Sequence, residues 1–130
     1  MERVAVEEVD PSELNPALRV LTDGLGATDV AVNRYDVEPG GRISGGYHTH
    51  HDQEEVFVVL SGAATFETGG GDVRVRAGEA VRFAPGEFHH AYAPADDPAV
   101  VLAVGAPPAS REVESVRRCT TCEAVFHHRR

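Results

Sequence analysis

His48-Thr49-His50 sets two imidazoles two residues apart, Glu55 follows five residues after the second, and His89 stands further on behind Pro85-Gly86. In an extended chain, alternate residues share a face about 6.6 Å apart. Two such rings can lean together until a nitrogen of each lies about 2.0–2.1 Å from one metal ion. Glu55 heads the next apolar run, on the same face as Phe57 and Val59, while Glu54 points the other way. A lone His-x-His is commonly a surface feature. Joined to a carboxylate at fixed distance and a remote histidine after a Pro-Gly turn, it points to one divalent ion held by His48, His50, Glu55 and His89. Three nitrogens and one carboxylate leave two positions of an octahedral ion for water, substrate or dioxygen. Iron, manganese, nickel, copper and zinc all accept these donors, and spacing does not choose among them.

His51 and His90 each adjoin a ligand, so alternation turns them to the opposite face as supporting or surface groups. Cys119-Thr120-Thr121-Cys122, the only two cysteines of the chain, precedes His127-His128. This spacing suits a second, zinc-binding site, a redox dithiol without thioredoxin-like surroundings, or a reduced polar tail. All three readings stay open.

The elements that must position the ligands read as strands. Short apolar runs recur, each closed by Gly, Pro or Asp, as in an all-β barrel or sandwich. Val4 to Val9 reads as a first strand and Pro11 to Leu21 as a Pro-rich lead-in with at most one helical turn. Thr28 to Val37 forms a strand ended by Pro39-Gly40-Gly41. Val56 to Leu60 is a near-continuous apolar run, as in a strand covered on both faces. Ser61-Gly62 turns it into Ala63 to Thr68, and Gly69 to Asp72 leads into Val73 to Arg76. Ala80 to Ala84, His89 to Ala93 and Ala99 to Val104 complete the set. The division expected is a barrel over residues 1–106 and an irregular tail over 107–130.

The stretch Gly41 to Gly62 resembles the first motif of the cupins, His-x-His, a short spacer, Glu, six residues and Gly. Counting back from Gly62 selects Glu55 rather than Glu54. Gly78, Gly86 and His89 fall in register with the second motif. Three positions depart from the two motifs: the first-motif glycine, Gly41, is displaced by one, and in the second motif Ala84 takes the place of the proline and Ala93 that of the terminal asparagine. The resemblance, to small single-domain cupins such as those of halophilic archaea, implies a double-stranded β-helix (a jelly-roll barrel), the four metal ligands named above, and a homodimer.

Composition narrows the function. The formal net charge is −9, which repels nucleic-acid phosphates. No run approaches the ~18 apolar residues of a membrane helix, and the amino terminus lacks the basic and apolar regions of a signal peptide, so a cytoplasmic protein is expected. All twelve basic residues are Arg. A lysine-free, acid-rich chain matches proteins kept hydrated in high salt, and a GC-rich genome gives the same bias. The pocket wall is expected to include Phe57, Val59, Phe66 and Phe83. Arg74 and Arg76 alternate with Val73 and Val75 and so face solvent, which disfavours a sugar phosphate. The partner is then a small organic molecule. One reading is a metal-dependent enzyme, with oxygen chemistry on an aromatic or enol-like compound favoured. The other is a binding or sensing module, since only Tyr35, Tyr47 and Tyr92 offer acid–base groups beyond the ligands.

Overall fold

The computed structural model describes residues 1–118 and 125–129. In chain order the elements are β1 (Leu18–Val20), a short helix α1 (Thr22–Leu25), β2 (Ala31–Val37), β3 (His48–His50), β4 (Glu54–Thr68), β5 (Gly71–Arg76), β6 (Ala80–Phe83), β7 (His89–Tyr92), β8 (Ala99–Ala106), β9 (Val113–Arg118) and β10 (Val125–Arg129). Every pairing among them is antiparallel. The result is the expected all-β double-stranded β-helix. Among the described residues no helix is long and apolar enough to cross a membrane.

β4 belongs to both walls of the barrel. Its first half pairs with β8 and β6, and its second half with β5 and β7. The Ser61-Gly62 turn expected from sequence is instead a bulge in this one strand, because the register slips between Val59 and Ser61. An extra residue changes which side chains point inward: Phe57 and Val59 are buried before it, Leu60 is exposed, and Ala64 and Phe66 are buried after it. Gly62 permits this. Its φ is +69°, and an added Cβ would lie 1.9 Å from the Pro98 carbonyl oxygen, so no larger residue fits without moving the backbone.

Two terminal segments also differ from expectation. Val4 to Val9 holds a 3-10 turn at Val6–Glu8 rather than a strand. Among the described residues no strand pairs with it, and Val4 instead lies against Gly24 in α1. The lead-in ends in strand β1, which edges β2. The stretch after Pro107, expected to be irregular, forms β9 and β10. β9 pairs with β3 and β10 with β9, because Val113-Glu114-Ser115-Val116 supplies side chains for both faces of a half-covered strand.

The core gathers Val37, Ile43, Phe57, Val59, Phe66, Phe83 and Val101 with small alanines. Phe57, Phe66 and Phe83 form a triangle with centroid separations of 5.3, 6.1 and 5.7 Å, within the range of favourable aromatic contact. This cluster floors the site. Phe83 lies almost parallel to the His89 ring, 4.2 Å away at an interplanar angle of 11°.

Candidate metal centre

His48 and His89 are cross-strand partners on β3 and β7, which puts their rings on one face with centroids 4.7 Å apart. His50 follows two residues on, its ring 5.0 Å from that of His48. Glu55 enters from β4, opposite Gly105 of β8 and Phe83 of β6. Its carboxylate bridges the group: Oε2 lies 2.8 Å from His89 Nε2 and Oε1 lies 3.1 Å from His50 Nε2. One donor atom each from His48, Glu55 and His89 fall within 4.8 Å of one another, and His50 joins them through Glu55.

The outer nitrogens decide what the inner ones can do. His48 Nδ1–H donates to the Gly46 carbonyl at 2.7 Å, and His89 Nδ1–H donates to the Glu87 carbonyl at 3.2 Å. A carbonyl only accepts, so each ring is protonated on Nδ1 and turns Nε2 inward, the nitrogen a metal would take once any proton there is lost. His50 Nδ1 is buried without a hydrogen-bond partner. Two imidazoles preset for ligation, a third beside the carboxylate, and a carboxylate already ionised fit a divalent transition metal.

The electrostatics agree. Burial works to raise the Glu55 pKa, but hydrogen bonds and charge from His50 and His89 outweigh it and bring the group down to about 2. Burial pushes the His48 pKa below its ordinary value; its bond to Gly46 opposes this, and the neighbouring His89 and His50 add to the lowering. A neutral imidazole beside an ionised carboxylate is the protonation state a metal requires.

Above the ligands opens a cavity of about 650 Å³, lined by His48, His50, Glu55 and Phe57 among others. Of the four apolar residues expected on its wall, Phe57 lines it, whereas Val59, Phe66 and Phe83 lie in the core below. Tyr35 and Tyr47 also face the cavity. Burial, and then the Glu55 charge, raise the Tyr35 pKa, so this hydroxyl stays a donor. Sequence reasoning missed Asn33 and Gln53, both on the wall. Asn33 was findable, since it alternates with Ala31 and Tyr35 on one face of β2. Arg74 and Arg76 are exposed, as expected, and no arginine lines the cavity among the described residues.

His51 and His90 take the other face. His51 Nε2 lies 2.9 Å from Glu114 Oε1. Burial lowers the His90 pKa, the nearby Gly46 carbonyl being among the groups that oppose this, and His90 Nδ1 lies 2.8 Å from the Ser44 hydroxyl. That hydroxyl in turn accepts from the Ala91 N–H at 3.0 Å. The Gly46 carbonyl, which holds the candidate ligand His48, thus also acts on His90. In the proposed second site, Cys119 and Cys122 lie outside the described residues, and His127 and His128 fall on β10.

A model of the cupin domain matches residues 33–105. The chain belongs to the cupin family. No curated protein sequence matches it. Among solved structures, this cupin is similar to a cupin protein from Bacteroides fragilis, at 22% identity and TM-score 0.69 over 96% of this chain and 95% of that one. It is also similar to a sugar phosphate isomerase of the cupin superfamily from Silicibacter pomeroyi, at 22% identity and TM-score 0.72 over 98% and 92% of the two chains. The polyketide cyclase RemF from Streptomyces resistomycificus aligns at 25% identity and TM-score 0.77, over 92% of this chain and 88% of that one.

Proposed function

We propose that this cupin binds one divalent transition-metal ion through His48, His50, Glu55 and His89 and takes a small uncharged organic molecule into the cavity above it. The observation that carries the reading is the Glu55 carboxylate, whose two oxygens each meet the Nε2 of a different histidine, 2.8 and 3.1 Å away. When bound, the ion supplies Lewis acidity or oxygen activation at its open positions. The chain's own residues do the rest. His48 and His89 are held by carbonyls at Nδ1 with Nε2 turned inward, Phe83 braces the His89 ring, and Tyr35 offers a hydroxyl to a polar group of the ligand.

Within this reading, oxidation of an enol-like or aromatic compound is preferred to sugar-phosphate isomerisation. A phosphate dianion needs a cationic grip, and the described lining contains no arginine, although some structural neighbours are sugar phosphate isomerases. A second reading, ligand binding without turnover, draws support from Tyr35. Its raised pKa makes it a poor base, which leaves no evident general base on the described cavity lining outside the ligand set. To the same proposal belong a homodimer, a cytoplasmic location and a salt-adapted source; the lysine-free composition and net charge of −9 support the last of these.

Elemental analysis of protein purified without chelator should find about one metal ion per chain. Oxygen uptake with phenolic, diketone and thiol compounds, abolished by His50→Ala, supports the enzyme. Tight binding with no product supports the second reading. Protein that takes up no transition metal overturns both.

A further inference from the structure

The match to the cupin model ends at Gly105, yet the cavity wall continues through Pro108, Val113, Ser115 and Val116. β9 lies antiparallel to β3, with Val113 opposite His50 and Ser115 opposite His48. Cross-strand partners share a face, so these two side chains stand beside the ligands. The segment is tied down by other groups. Gln53 Nε2 donates to the Pro107 carbonyl at 2.7 Å. Asp52 accepts from the Ser110 hydroxyl and from the Arg111 N–H, and the His51 N–H donates to the Glu112 carbonyl at 2.8 Å. None of these ties uses the Val113 side chain, which can therefore vary in size without releasing the strand.

We infer that Val113 is a specificity-determining residue, setting how much apolar bulk a ligand can carry on the side of His50. The inference rests on the metal-binding reading above. The ligand class it implies is an oxygen chelator with one apolar flank, lying along Val113 and Phe57. Ser115, beside His48, makes the other flank polar.

Cobalt(II)-loaded protein titrated with two β-diketones, acetylacetone and its bulkier relative benzoylacetone, reads this directly in the visible spectrum. Wild-type protein should bind both. Val113→Phe should weaken benzoylacetone by about tenfold relative to acetylacetone, with cobalt stoichiometry unchanged. Val113→Ala should shift the ratio about fourfold the other way, and it decides the matter if the phenylalanine variant does not fold. A ratio that stays within about twofold of wild type in the folded variants overturns the role of Val113. Wild-type protein that takes up no cobalt overturns the metal-site reading instead, and cobalt-loaded protein that binds neither diketone overturns the inferred ligand class.

Discussion

Five histidines crowd strands β3 and β7 and the turn after β3, and the chain treats them in two ways. His48, His50 and His89 gather around Glu55 on the inner face, while His51 and His90 make ordinary polar contacts on the outer one. Residue type is the same and the neighbours in sequence are immediate, so neither explains the difference. Strand alternation and the partner of each second nitrogen do. The inner rings His48 and His89 each donate outward to a carbonyl. His51 spends Nε2 on the Glu114 carboxylate, and His90 spends Nδ1 on the Ser44 hydroxyl.

The contrast breaks most sharply at the ligands. His89→Ala should reduce bound metal to background, a loss larger than the ~100-fold ceiling of changes outside the ligand set. Metal content by mass spectrometry, with circular dichroism as the folding control, checks this.

Acid should act next. Glu55 has a folded pKa of about 2 against an ordinary 4.5; its stabilisation is present above pH 4.5 and is lost as pH falls toward 2. This is on the order of 3 kcal/mol. His48 has a lowered pKa, so the unfolded chain takes up its proton first and stability begins to decline below about pH 6.5. Metal-free protein should thus lose melting temperature on acidification in two stages, and Glu55→Gln should flatten the lower one. Bound metal should leave as pH falls towards about 5, because protons compete for the imidazoles.

A smaller effect sharpens the comparison within the outer pair. His90 lies by the Gly46 carbonyl that holds His48, so His90→Ala should weaken metal binding about 10–100-fold. His51→Ala removes a partly exposed ion pair with Glu114 and should change stability by less than about 1 kcal/mol. Equal effects of the two substitutions on metal affinity would show that the Gly46 link orients nothing.

Much of this was legible in the sequence, for reasons that can be located. The ligands were readable because alternation in β3 is local and because Glu55 is fixed by its distance to Gly62. β6, β7 and β8 announced themselves through turn residues at their ends. The bulge in β4 did not, since Ser61-Gly62 reads as a turn unless the strand β8 running alongside is known. Likewise, the burial of Phe66 depends on the change of phase that the bulge imposes, and that of Phe83 on the pairing of β6 that sets it opposite Glu55. β9 was hidden because a polar strand laid over β3 shows no continuous apolar run, and its partner lies some 65 positions earlier.

That late position of β9 has a bearing on biosynthesis. A ribosome delivers His48, His50, Glu55 and His89 well before Val113, and chains fold from the amino end as they emerge. The strand that completes their enclosure is thus made after all four, and until it docks on β3 the flank beside His48 and His50 stands open.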